Sequence, residues 1–456
     1  MIANDRALRT HAPHRASGPL LPVEFHSVSG RVAARLAEAA FFLVVLYTLC
    51  VLRPDFTPED FGDMRLSVQL EDTSASDIVN QLFWLAIAGL SAAAVALNPR
   101  PFMDAFRRNH LLFALGLLCV ISAVWAFAPG IAFRRSILQI MILFTLVVTL
   151  NYGQSVERLH KIAYLAFGIA ALANLAALPF GFAFDWRHLF RGIVGDKNVL
   201  GAMAVAALFV GVSARFYFAS VFGRLVNAAY LLAWLGIAVL AGSKTSLALI
   251  VLVPAVVLGV DFVARVARVG FGSLLGVALL LTGVILLAFA SGPGVGVDDL
   301  IAAVMPDATF TGRTAIWSFA LDETLGHLPL GYGYQSFWNI GFNAPNLKAQ
   351  DQFIHFLNQS HNGYLDVALQ LGLPGLALTG IVLYAALNLV GRTRRAGRAA
   401  FWLVGFLVVF ALLHNLTESS LLRAYHPTWI AFLFAAVIGD RIRAELRRGG
   451  PAPAGY

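Results

Sequence analysis

Apolar residues fall in long, nearly uncharged runs along this chain. The runs at 36–52, 110–128 and 271–290 carry no charge or a single one near an end, and each reaches the roughly 20 residues that cross a hydrocarbon core about 30 Å thick. Extended over the whole sequence, the pattern predicts twelve helices, at 36–53, 78–97, 110–128, 132–150, 159–179, 198–214, 225–242, 244–260, 271–290, 361–390, 400–417 and 427–440. The predicted class is an all-α polytopic membrane protein.

Composition removes the main alternative. Apolar and aromatic residues make up 59% of the 456 and charged residues 13%, against roughly 45–50% and 25% in soluble proteins, which excludes a water-soluble globule. The net charge of +8 does not mark nucleic acid, because the arginines sit in short segments between apolar runs and no basic run is interleaved with aromatics. Cys50 and Cys119 lie inside apolar runs, so neither a disulfide framework nor a zinc site is available.

Residues 1–35 read as a basic, disordered cytoplasmic tail, followed by spans one to nine (36–290), an outer segment (291–360), spans ten to twelve (361–442) and a second cytoplasmic tail (443–456). A cleavable signal peptide fits less well, since the first run ends in Leu52-Arg53-Pro54 without a small-residue cleavage site. Two thirds of the 33 Lys and Arg fall on one side of this arrangement, which predicts both termini in the cytoplasm. The first outer loop holds Asp55, Glu59, Asp60, Asp63, Glu71, Asp72 and Asp77 without a compact calcium-loop spacing, and reads as a solvated acidic loop. Arg134, Arg135, Arg187, Arg191, Lys197, Lys244, Arg313 and Arg423 stay outside against the topological preference. Singly they suit lipid phosphates or helix C-termini; as a set they point to an anionic substrate.

The outer segment 291–360 far exceeds an ordinary helix connection. It is too aromatic for a solvated linker, and Trp317, Tyr332, Tyr334 and Trp338 mixed with Asn and Gln suit carbohydrate as well as a membrane interface. Thr311-Gly312-Arg313-Thr314 reads as a capped start of an amphipathic helix, where amides and guanidinium could hold phosphate. Gly331-Tyr332-Gly333-Tyr334 is a tight glycine turn, and Gly292, Gly294 and Gly296 offer hinges. His361, next to Asn362 at the entrance of a long apolar helix, suits either an interfacial anchor or proton transfer. His414, Asn415 and Glu418 share a helical face, which suits a self-satisfied polar network or catalysis.

Taken in order, Arg191, Asp196-Lys197-Asn198-Val199-Leu200-Gly201, Ser243-Lys244-Thr245, Gly312-Arg313-Thr314 with Trp317, Gly331-Tyr332-Gly333, His361-Asn362-Gly363-Tyr364 and Gly372-Leu373-Pro374-Gly375 resemble the O-antigen ligase and polysaccharide polymerase superfamily, the Wzy and WaaL type. The segments Gly312-Arg313-Thr314, His361-Asn362-Gly363 and Asn415 to Ser420 look most like its exopolysaccharide polymerase branch. Lys244 stands where members more often carry arginine. The resemblance implies a metal-independent, inverting glycosyltransferase of the GT-C type in the bacterial inner membrane, with a periplasmic active site and no cofactor. It further implies an undecaprenyl-diphosphate-linked oligosaccharide as donor and a growing glycan chain or lipid A core as acceptor. Surrounding membrane lipids, flippase and chain-length regulator proteins would be its partners. On that reading Arg191, Arg313 and His361 are catalytic. Arg135, Arg187, Lys197, Asn198 and Lys244 line the diphosphate. Asn362, Tyr364, Trp317, Tyr332, Tyr334, Trp338, His414 and Glu418 meet the glycan or acceptor.

A twelve-span transporter is the rival from another class. It should show two similar halves with ionisable residues near the bilayer midplane, whereas no half-to-half repeat is visible and the ionisable residues gather at the outer ends. A scaffold subunit would leave the outer arginines and His361 without a role.

Overall fold

The computed structural model describes residues 27–58, 77–290 and 313–448, and for 282–290 the backbone alone. The N-terminal tail to His26, the acidic residues from Glu59 to Asp72, the three hinge glycines, Thr311-Gly312 and the tail beyond Arg448 lie outside the described residues.

Among the described residues the chain is helical, with a single isolated bridge between Phe184 and Phe190. The helices are α1 (Val28–Thr48), α2 (Ile78–Leu97), α3 (Arg100–Arg108), α4 (His110–Ile121), α5 (Pro129–Asn151), α6 (Val156–Ala177), α7 (Lys197–Ala214), α8 (Val221–Ala241), α9 (Lys244–Val266), α10 (Phe271–Ala290), α11 (Arg313–Gly326), α12 (Gln352–His355), α13 (Gly363–Thr393), α14 (Arg398–His414) and α15 (Pro427–Arg447). Each apolar run read from the sequence lies on one of them. Helix α1 begins inside the segment expected to be a tail, because the Ser27 hydroxyl caps it by accepting from the Gly30 amide at 3.1 Å.

Seven described helices are long and apolar enough to cross a membrane, or eight if α3 and α4, bent by 79°, form one span. Helices α1 and α15 fall outside that set, since Arg31, Arg35 and Glu38 in one and Asp440, Arg441 and Arg443 in the other interrupt the apolar run. Helix α14, with 17 residues, is shorter. Helices α7, α14 and α15 pack on one another and are buried on nearly every face, as expected of helices apolar all round.

Helix α13 is broken, and the break holds the outer segment. Gly372 takes φ 59°, ψ −152°, and Pro374 follows with no amide to donate. The freed carbonyls of Leu369 and Gln370 accept from the amides of Tyr332 and Gly333 at 2.9 and 2.8 Å, while the Leu373 amide donates to Pro329 at 2.9 Å. Non-helical backbone at a span is tolerated where such partners exist. Glycine is required on both sides, since a Cβ at Gly372 would lie 1.9 Å from the Pro329 oxygen and one at Gly333 2.3 Å from the Ala126 Cβ.

The described part of the outer segment begins at Arg313. Helix α11 buries Ile316, Ala320 and Thr324, one residue per turn, and packs against α13. Tyr332, Phe337, Trp338, Ile354 and Leu369 form a small core of their own beneath it.

Candidate active site

Helix α13 opens at a built turn. Asn362 caps it, its Oδ1 accepting from the amides of Tyr364 and Leu365, both at 3.1 Å. Ser360 is anchored by its amide on the Asp366 carboxylate at 3.2 Å, and its carbonyl accepts from the Trp317 indole at 3.0 Å. Asp366, in the first helical turn, also accepts from the Trp338 indole at 2.9 Å. Between these fixed residues His361 is forced to φ 53°, a left-handed conformation that costs roughly 1–3 kcal/mol unless the surroundings impose it.

The turn sits directly on the connection between α14 and α15. The Gly363 amide donates to the carbonyls of Asn415 at 2.9 Å and Glu418 at 3.1 Å, and a Cβ at Gly363 would fall 1.9 Å from the Asn415 Oδ1. Asn415 shapes that connection, accepting from the amides of Ser420 at 2.8 Å and Leu421 at 3.0 Å while donating to Ala411 at 2.7 Å and to the Ser420 hydroxyl at 2.8 Å. The result places Glu418 under both Arg313 and His361. Its Oε1 lies 2.6 Å from Arg313 Nη2 and its Oε2 lies 2.8 Å from His361 Nδ1.

Exposure divides the three roles. The Glu418 side chain is 7% exposed, whereas Arg313 and His361 are 19% and 20% exposed. A carboxylate only accepts, so Nδ1 carries the proton and the Nε2 lone pair faces outward in the neutral ring. Among the described residues Nε2 has no hydrogen-bond partner, nor have Nε and Nη1 of Arg313. Burial by itself would raise the Glu418 carboxyl, but the hydrogen bond from His361 and the neighbouring Arg313 charge hold it below its ordinary value. The arrangement can take a proton at Nε2, stabilise the imidazolium through Glu418, and offer guanidinium donors to an anion. Among the described residues no group of three or more His, Cys, Asp or Glu could hold a metal ion.

Other residues singled out from the sequence stand elsewhere. The Arg191 guanidinium donates to the carbonyls of Phe182 and Gly195, both at 3.0 Å, and to Thr57, tying two outer loops together. Lys197 pairs with Asp185 at 3.5 Å, and Arg187 lies over the Trp186 ring. Asp196 and Ser243 cap α7 and α9, and Gly201 lets Ser243 and Ser246 approach, so a Cβ there would meet Ser246 Oγ at 2.6 Å. Asn198 offers its backbone amide to Asp196, and Lys244 is exposed at the start of α9. Arg135 donates to the carbonyls of Gln335 at 2.6 Å and Asn339 at 2.7 Å.

Tyr332, Tyr334 and Trp338 are buried, with the Tyr334 hydroxyl on the Leu422 carbonyl at 2.6 Å, while Trp317 is half-buried. Tyr364 donates to the Leu412 carbonyl at 2.9 Å, and His414 is buried beside Ser420. The sequence reading counted Gln359 only among the amides suited to carbohydrate, whereas here it accepts from Arg423 at 2.8 Å. It gave no separate role to Asp366 or Ser420, although Asp366 was signalled as an acidic residue in a first helical turn.

A family model described as O-antigen ligase matches residues 228–380. The chain resembles the O-antigen ligase and polysaccharide polymerase superfamily. The matched span takes in Arg313 and His361, while Glu418 lies beyond it. The chain is also 26% identical over 362 residues to the exopolysaccharide production protein ExoQ of Rhizobium meliloti (strain 1021), an alignment covering 72% of this chain and 76% of that relative.

Proposed function

We propose that the chain is a metal-independent, inverting glycosyltransferase that polymerises undecaprenyl-diphosphate-linked repeat units into an exopolysaccharide at the periplasmic face of the inner membrane. The observation that carries this reading is the contact of Glu418 with both His361 and Arg313. The acceptor sugar hydroxyl donates its proton to His361 Nε2 as its oxygen bonds to the donor's anomeric carbon. The bond from that carbon to the diphosphate oxygen breaks, and the leaving group departs as an anion. Before the step Arg313, Glu418 and neutral His361 sum to zero charge. After it they sum to +1 beside the departing diphosphate, so proton uptake and leaving-group stabilisation reinforce each other. General-base help of this kind is worth about 10²–10⁴ in rate.

Polymer formation is preferred because the relative is named for exopolysaccharide production. Transfer of the glycan to lipid A core is the second reading, favoured by the description of the matching family model. Purified protein supplied with undecaprenyl-diphosphate repeat units alone should yield a product ladder spaced by whole repeat units. Transfer seen only when lipid A core is added decides for the ligase, and no transfer to any acceptor rejects both.

A further inference from the structure

Two recesses open at the ends of α13 and α15 remote from His361, and they differ in charge. The first, of about 460 Å³, is lined by Arg100, Arg108, Arg441 and Arg448 together with Asp104 and Glu445. Three of its four arginines are paired, Arg441 with Glu445 at 2.8 Å, Arg448 with Asp104 at 3.1 Å and Arg108 with Asp440 behind the wall at 2.7 Å. The second, of about 450 Å³, is lined by Arg392, Arg394, Arg395, Arg443 and Arg447 beside Leu446, with no carboxylate in its wall. Arg394 is partly neutralised from behind by Asp261, and Arg443 by Asp440. Arg392, Arg395 and Arg447 are exposed and have no partner among the described residues.

The general excess of Lys and Arg at a cytoplasmic end accounts for arginines being near. It does not account for five converging on one concave surface without a carboxylate in its wall, where like charges repel, when the adjoining recess interleaves its arginines with Asp104 and Glu445. Favourable placement at helix C-termini applies to Arg392 and Arg447, in the last turns of α13 and α15, but leaves Arg395 unexplained. Guanidinium forks match phosphate oxygens in pairs.

We propose that this recess binds a phosphate-bearing anion, either a phospholipid headgroup or a soluble phosphate, as a second site separate from the His361 centre. The pairing of Arg394 with Asp261 and its position 5.4 Å over the Phe401 ring fix one wall in advance, so three free arginines remain to close on the ligand.

The test uses the purified full-length chain in phosphatidylcholine nanodiscs. Binding of added cardiolipin is followed by native mass spectrometry, and that of inorganic phosphate and pyrophosphate by thermal shift. The Arg392→Gln/Arg395→Gln/Arg447→Gln variant should bind on the order of a hundredfold more weakly, since each basic side chain near an anionic surface is worth roughly fivefold. An Arg448→Gln control in the first recess, where Arg448 is paired with Asp104, should bind as wild type does. Equal melting temperatures without ligand show that the variants fold. Binding of cardiolipin alone identifies the lipid source, and binding of phosphate or pyrophosphate alone the soluble one. No binding of any probe, or binding unchanged in the triple variant, overturns the proposal.

Discussion

His361 Nδ1 and Glu418 Oε2 stand 2.8 Å apart across 57 residues of sequence, and that contact fixes which imidazole nitrogen is free to accept a proton. Replacing Glu418 with Gln keeps the shape but lets the amide donate to Nδ1, which switches the tautomer and puts the ring proton on Nε2. We expect turnover to fall by about 10²–10⁴, with donor binding less affected. Adding Glu418→Gln to His361→Ala should cost little more than either change alone, because residues that act as a unit are non-additive. Steady-state kinetics on the two single variants and the double variant check this.

Arg313 is expected to act in both binding and chemistry. Arg313→Lys keeps the charge but loses the fork that serves Glu418 and an incoming phosphate together. We expect kcat to fall by roughly 10²–10³, as for removal of one transition-state donor, with a higher KM for the lipid-linked donor. A change in KM alone would assign Arg313 to binding only.

The depressed Glu418 carboxyl makes stability depend on acid. A group whose folded value lies below its unfolded value contributes stability that is present above the unfolded value and lost as pH falls through the folded one. The ordinary value is 4.5, so the advantage of wild type over Glu418→Gln in thermal unfolding should hold constant from neutral pH to about 5 and shrink below it. A gap independent of pH would contradict the ion pair.

Trp338 is expected to position the His361 turn from a distance. Trp338→Phe removes one donor from the buried Asp366 carboxylate, at a cost of about 1–3 kcal/mol. The melting temperature and kcat should both drop while KM for the donor stays put. Trp338→Phe with unchanged kcat would make that indole a packing residue only.

The long helices were legible because each carries an extended apolar run, whereas the break in α13 at Gly372 and Pro374 fell inside a stretch read as one continuous helix. His361, Arg313 and Glu418 were legible as residue types at outer helix ends. Their meeting was not, since Arg313 and Glu418 are 105 residues apart and no local pattern encodes that distance. Arg135 and Arg191 show a second use for loop cations, holding backbone carbonyls. Irregular loops leave carbonyls without helical partners, and a five-donor guanidinium can gather several of them. For Tyr332, Tyr334 and Trp338, aromatic composition shows that a loop packs but not whether its rings face a ligand or each other.

The most direct test of the account is a purified turnover assay with undecaprenyl-diphosphate repeat units and a chelator, comparing wild type with His361→Ala, Glu418→Gln and Arg313→Ala and reading products by mass. The account predicts a ladder of whole repeat units in wild type that is lost or severely reduced in all three variants. A full ladder from His361→Ala or Glu418→Gln would contradict it.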